Sequence, residues 1–330
     1  MTIFSLPANQ PETFYRGAGR IAAFRSTPAR PDRPEDWVAS TTTRFALAPS
    51  GLSVLPDGRV LAEAIAAEPG WWVGPGRGTE PGVLVKLLDT GQRLPLHVHP
   101  DRRFAASHLA SPYGKTEAWV IVSAEPGAVV HLGFARDVEA AELAGWVAGQ
   151  RVAEMLAATN TVEVRAGDAV LCPAGVPHAI GAGILLVEVQ EPTDFSVLLE
   201  YEGFDLDGPA EGHLRLGYDL ALECVDRGRW DADRIAGLRG DQRRLLPAAA
   251  DDFFTAERVG AGARLEAGFS VLVVTGGEGT LSGEHDRLAV RRGDTLLIPY
   301  AAGPIVVGGG LEAVRLAAEG TAGRAAAAGG

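Results

Sequence analysis

Lysine is close to missing from this sequence. Of its 30 basic residues only Lys86 and Lys115 are lysines, so each of the two invites inspection. Cysteine is as scarce: Cys172 and Cys224 stand in separate contexts, which excludes a disulfide framework and fits reduced thiols in a cytoplasmic protein. No apolar run approaches the roughly 20 residues of a membrane span. The opening "MTIFSLPANQP" lacks a charged segment followed by an apolar one, so no secretory signal is expected. Positive charge is also in deficit. With 30 Lys and Arg against 42 Asp and Glu the net charge is −12, which argues against nucleic acid and anionic membrane surfaces as partners. What remains is a 330-residue chain with 46% hydrophobic residues, enough for a core in one large domain or two ordinary ones.

Glycine and proline are plentiful, and short β-branched runs alternate with turn signals, as in "GVLVKLLD", "EAWVIVSA", "TVEVRAGDAVLCP" and "GILLVEVQEP". That is the pattern of a mainly β sandwich or barrel. Two helical intervals interrupt it. From 138 to 156, Leu143, Trp146, Val147, Val152, Met155 and Leu156 recur at helical spacing, with Asp137 placed to cap the start. From 214 to 238, Tyr218, Ala221, Leu222 and Val225 form a second stripe, followed by a segment that Asp231 could cap. The tail "AAEGTAGRAAAAGG" has no periodic apolar face and is expected to be mobile. An internal repeat carries more information. "RAGDAVLCPAGVPHAIGAG" (165–183) aligns without gaps on "RRGDTLLIPYAAGPIVVGGG", each copy reading as a Gly-Asp turn, an apolar strand and a proline turn. Two copies of one β module imply two related barrels. The second copy has no histidine to match His178, so one barrel is expected to work and the other to be structural.

The chemistry concentrates in "LPLHVHPD", residues 94–101. Strand alternation would project His97 and His99 to one face, with Leu96 and Val98 turned away. Two imidazoles on one face are costly in a core and natural around a metal ion. Gly91 with His97 and His99, and then Gly167, Pro173, Gly175 and His178, reproduce the spacings of the two cupin signatures. The sequence therefore resembles the cupins, and the resemblance implies two jelly-roll barrels with inserted helical segments. In cupins a glutamate on the strand after the paired histidines completes the ligand set, and Glu117 in "YGKTEAW" takes that place. Three imidazoles and one carboxylate suit Zn²⁺, Fe²⁺, Mn²⁺ or Ni²⁺, with positions left for water or substrate. His108, His131, His213 and His285 have no such context and are expected to be solvated or core residues.

From about residue 15 to residue 317 the chain further resembles the class I mannose-6-phosphate isomerases, through "FYRGAGRIAAF", "EDWVAS", "GVLVKLLD", "GKTEAWVIVSAEPGAVVHLGF", "PAGVPHAIGAGILLVEVQEPTD" and "FSVLVVTGGEGTLSG" in family order. The resemblance implies aldose–ketose isomerisation through a cis-enediol at a metal, most often zinc. His97 then falls on a ligand position commonly held by glutamine, and His99, Glu117 and His178 on the other three. Lys115, two residues before Glu117, is turned to the same face, where it can share in proton transfer or bind an anionic group. Lys86 has the inward parity of Leu84 and Leu88 and is a candidate for substrate binding. The family's active-site arginine is absent: Leu198 falls in its place. The substrate is thus a phosphorylated or an unphosphorylated sugar, with Glu200 expected to bind hydroxyls and Arg102 and Arg103 expected at the barrel mouth. An iron-dependent cupin oxygenase or lyase, or a non-catalytic sugar-binding cupin, would use the same ligands. The expected organisation is a metal-binding barrel over 1–200 with a helical insert near 138–158, a helical connector over 201–250, a degenerate barrel over 251–318 and a tail from 319.

Overall fold

The strands assemble into four antiparallel sheets, described by a computed structural model over residues 2–241, 244–284 and 286–318. The expected tail, 319–330, and His285 lie outside these residues. One sheet runs in the order Glu35–Val38, Leu84–Thr90, Ile184–Gln190, Glu117–Ala124 and Ala169–Cys172. A second runs Val197–Leu198, His97–Val98, His178–Ile180, Val129–Phe134 and Thr159–Glu163. Together they form the first barrel. In the second barrel one sheet runs Phe4–Ser5, Thr295–Ile298, Ser270–Gly276, Glu312–Ala318 and Phe254–Val259, and the other runs Arg264–Leu265, Ile305–Gly309, Glu278–Ser282 and Arg287–Arg291. The fold is mainly β and of the two-barrel cupin kind expected from the repeat.

The buried pattern of each strand reports its place. Leu84–Thr90 and Ile184–Gln190 are buried at every position, because their sheet is covered on both faces. The inner face looks into the first barrel. The outer face carries Val85, Leu87, Val187 and Val189, which share a core with Val271, Val273, Leu297 and Leu316 of the second barrel. By contrast, Arg287–Arg291 alternates in exposure, one face on the second barrel's own core and one in water. The outer face of the histidine-bearing sheet, with Leu96, Val98 and Ala179, is covered by Leu143, Trp146, Val147 and Met155 of the helical insert. Leu96 and Val98 thus point away from the barrel interior, as alternation requires.

The repeat is structural as well as textual. In the first copy Asp168 Oδ2 accepts from the Arg165 N–H at 3.0 Å, and in the second Asp294 Oδ2 accepts from the Arg291 N–H at 2.9 Å. Gly167 and Gly293 take positive φ at the same point of the turn. At Gly293 a side chain is also excluded by contact, since a Cβ would lie 2.0 Å from the Phe24 carbonyl oxygen.

Three expectations need correction. Residues 4–5 were assigned with the first barrel, but their backbone pairs with Leu296 and Leu297 of the second. The helical interval from 138 to 156 is two helices, Ala140–Ala148 and Val152–Ala158, broken around Gly149. Asp137 does not cap the first of them; its carboxylate accepts from the Arg229 N–H at 2.8 Å. The stripe from 214 is likewise divided into short pieces, Tyr218–Ala221, Leu222–Cys224 and Ala232–Ala236, the last capped by Asp231 as expected. No helix among the described residues is long and apolar enough to cross a membrane.

Candidate metal centre

Register brings the candidate ligands together from opposite walls. On one sheet His97 pairs directly with His178, and Leu198 pairs with His97 from the other side. On the facing sheet Glu117 lies in one row with Gln190 and Cys172. The strand carrying the first histidine is only His97–Val98, so His99 follows its end. The chain beyond loops through the helix Arg102–His108 and returns at Gly114, which must be glycine because a Cβ would lie 2.6 Å from the Asp101 carbonyl carbon. That close return puts Lys115 and Glu117 beside His99.

The three rings lie with centroids 4.1–4.9 Å apart. Their nitrogens approach within 4.8 Å of one another, as do ligand atoms of Glu117, Cys172 and His178. Glu117 Oε2 is 3.0 Å from His99 Nε2, and Oε1 is 3.3 Å from His178 Nε2. Each Nδ1 faces a backbone carbonyl: Pro95 at 2.8 Å, Phe195 at 2.7 Å and Val176 at 2.8 Å. A carbonyl only accepts, so Nδ1 carries the proton and Nε2 keeps a lone pair toward the common centre. This is the tautomer a metal-ligating histidine needs. Burial, followed by the neighbouring rings, holds His97 far below the usual imidazole range; burial and then Lys115 hold His99 down at about 3. Burial opposes the Glu117 charge, but Lys115 and His99 outweigh it and keep the carboxylate ionised. Glu117 Oε2 and His178 Nε2 are buried without a well-formed hydrogen bond. Neutral imidazoles, an ionised carboxylate and convergent unpartnered acceptors fit a divalent cation.

Two ion-paired lysines extend the cluster. Lys115 Nζ lies 2.9 Å from His99 Nε2 and 3.1 Å from Glu117 Oε2. Lys86 Nζ lies 3.4 Å from Glu35 and 3.7 Å from Glu188, over the Trp37 ring. Burial works against the Lys86 charge, but Glu35 and then Glu188 raise its pKa on balance. Glu188 moves the other way: burial, then Glu117, push it up to about 7. Trp37 donates to Glu35 at 2.6 Å and Trp119 to Glu117 at 2.9 Å, the same Glu-x-Trp arrangement on two strands. His97, Lys115, Glu117, Lys86, Glu35 and Glu188 all face one cavity of about 330 Å³, within the range of small-molecule sites.

Comparison with known proteins shows what the chain is similar to. A mannose-6-phosphate isomerase of Streptococcus mutans is 28% identical over 261 residues, covering 76% of this chain and 79% of that one. The mannose-6-phosphate isomerase ManA of Bacillus subtilis is 29% identical over 241 residues, covering 70% and 73%. In sequence the chain is similar to these mannose-6-phosphate isomerases over more than two thirds of its length. No family model matches it. Among solved structures, the Bacillus subtilis mannose 6-phosphate isomerase superimposes with a TM-score of 0.77 over 96% of this chain and 99% of that one, at 19% identity. A mannose 6-phosphate isomerase bound with zinc and yttrium gives 0.71 over 97% and 100%, at 15% identity.

The expected site residues divide. His97, Glu117, Lys115 and Lys86 line the cavity, and His99 and His178 cluster with His97 beside it. Arg102, Arg103 and Glu200 do not line it. Arg102 bonds Glu191 at 2.6 Å, donates to the Asp252 carbonyl at 3.1 Å and lies over Phe253 rather than in the cavity. Arg103 is exposed on that helix. Glu200 forks to Arg93 with two bonds of 2.6 Å and accepts from the Leu96 N–H, so it clamps the approach to His97 and has no free oxygen to offer hydroxyls. Sequence reasoning missed Glu35, Glu188, Tyr15, Arg44 and Arg215 as lining residues. The recurrence of Glu-x-Trp at 35–37 and 117–119 was a usable signal for the first of these.

Proposed function

We infer that this protein is a metal-dependent aldose–ketose isomerase of the mannose-6-phosphate isomerase type. The observation that carries the reading is the cluster of His97, His99 and His178 with Glu117 against His99 and His178, beside buried Lys115 and next to a sugar-sized cavity that His97, Lys115 and Glu117 line. His97, His99, Glu117 and His178 would hold the ion, assigned here as zinc. Bound there, it would polarise the oxygens at C1 and C2 of the sugar, which makes the intervening carbon–hydrogen bond more acidic.

The remaining residues divide the proton work. Lys115 donates to His99 and is ion-paired with Glu117, both of which a cation would claim, so with an ion held there its Nζ would be free for the substrate. Glu188, with its pKa raised to about 7 and Oε1 ion-paired with Lys86 but making no hydrogen bond, is suited to take and return a proton. Lys86 and Glu35 hold Glu188 in place and shield it from the bulk. The named relatives are isomerases, which disfavours the iron-dependent oxygenase or lyase and the non-catalytic binding protein.

The test is conversion of mannose 6-phosphate, and separately of mannose, to the ketose in deuterated water with a panel of divalent metals. Product and exchange at C2 are expected, with zinc recovered from natively purified protein. Neither ketose nor exchange with any metal would overturn the reading.

A further inference from the structure

One of the chain's two cysteines stands beside the metal centre. Cys172 ends the strand Ala169–Cys172 and pairs in register with Glu117 on the neighbouring antiparallel strand. Directly paired residues of an antiparallel sheet project to the same face, so the thiol shares the barrel interior with the carboxylate. It is free and almost wholly buried. Its sulfur, a Glu117 oxygen and a His178 nitrogen all lie within 4.8 Å of one another. Glu117 Oε2 and His178 Nε2 are themselves buried without a hydrogen-bond partner. These three atoms make a second donor set, which overlaps the histidine cluster through His178.

The duplicated barrel shows what packing alone asks for at this place. Cys172 aligns without gaps on Ile298, and Ser270 pairs with Ile298 as Glu117 pairs with Cys172. Ile298 is buried in the second barrel's own core. An aliphatic side chain therefore fills the equivalent position where no ligands are present. In the second barrel the thiol and the carboxylate are replaced together, and no histidine matches His178. The sulfur accompanies the ligands and is absent where they are absent.

We propose that Cys172, Glu117 and His178 form a second metal-binding mode of this centre, taken by thiophilic divalent ions, with Cd²⁺ as the probe. Tetrahedral donors around an ion of this kind stand roughly 3.3–3.9 Å apart, so the three atoms close on it with shifts of about 1 Å or less. Soft ions select thiolate ligands. On binding, the sulfur–hydrogen bond breaks, its proton passes to solvent and the thiolate sulfur takes the ion. Thiolate and carboxylate then cancel the charge of the divalent ion, which a buried site favours. Three imidazoles and one carboxylate leave a positive charge uncancelled. The assignment needs the metal centre but not the sugar chemistry proposed for it.

The experiment titrates the metal-free full chain with Cd²⁺ and follows the ultraviolet thiolate-to-cadmium charge-transfer band in wild type, Cys172→Ala and Cys224→Ala. Wild type and Cys224→Ala should develop the band and saturate at one ion per chain. Cys172→Ala should lack it and bind Cd²⁺ at least about tenfold more weakly, with a smaller loss for Zn²⁺. Absence of the band in wild type, its persistence in Cys172→Ala, or an unchanged preference for Cd²⁺ over Zn²⁺ in that variant overturns the proposal. Should Cys172→Ala fail to fold, cadmium NMR of Cys224→Ala decides, because Cys172 is then the only thiol. A resonance in the range of sulfur ligation supports the assignment, and one in the range of nitrogen and oxygen ligands overturns it. No sugar enters the measurement, so failure of the isomerase reading would leave its outcome unchanged.

Discussion

The three histidines each bond a carbonyl through Nδ1, and two of them, His97 and His178, do so to the residue two places earlier. The lone pair on Nε2 is thus set by local backbone, before any ion arrives. His99→Ala or His178→Ala should accordingly lower bound metal well below one equivalent, whereas Lys115→Ala should retain the metal and lose turnover; metal analysis on natively purified variants checks both. Glu188 gives a pH signature. Its folded pKa, raised to about 7, lies above the ordinary carboxylate value, so the folded state holds the proton more tightly than the unfolded one. Its contribution to stability is present at low pH and is lost as pH rises from about 4.5 through about 7. In the metal-free protein Glu188→Gln should therefore gain stability over wild type as pH rises across that window, measured by urea midpoints at its two ends; a constant difference would refute it. The four proposed ligands were legible because the resemblance and strand parity both mark them. Glu188 and Tyr15 were not, since a carboxylate or phenol on a strand becomes a site residue only through neighbours from other strands.

At the scale of elements, the segment between His99 and Glu117 folds into a helix, Arg102–His108, with Asp101 accepting from the Phe104 N–H at 2.7 Å. Asp101→Ala should cost about 1 kcal/mol, the usual worth of such a cap, and leave metal content intact; thermal unfolding with metal analysis tests both. The same helix shows where element-level reading stops. Its existence and cap follow from residues 101–108, but its direction does not, and Arg102 meets Glu191 and Phe253 instead of the cavity. Asp137 makes the same point, being a good cap by sequence that is recruited by the Arg229 backbone from the connector.

For the whole molecule, the two barrels meet through the outer faces of one sheet each, and the N-terminal strand pairs with the second barrel before the chain builds the first. Ile3 is fully buried in the second barrel's core. Ile3→Ala should destabilise the protein by about 2–5 kcal/mol without lowering metal affinity, as denaturant unfolding and metal titration would show. A loss of metal affinity equal to the loss of stability would mean instead that the barrels cannot be perturbed separately.

The class of the fold and the duplication were already written in the chain, as was the clustering of His97, His99 and His178, because turn chemistry, strand period and histidine spacing are local and recur along it. Only the tertiary structure decided which charges share the cavity. Arg102 and Glu200 were drawn away by Glu191 and Arg93, while Arg44, Arg215 and Glu188 were brought in by segments far apart in the chain. The physical reason is that a charge is placed by the partner that compensates it, and that partner is known only once the chain has folded.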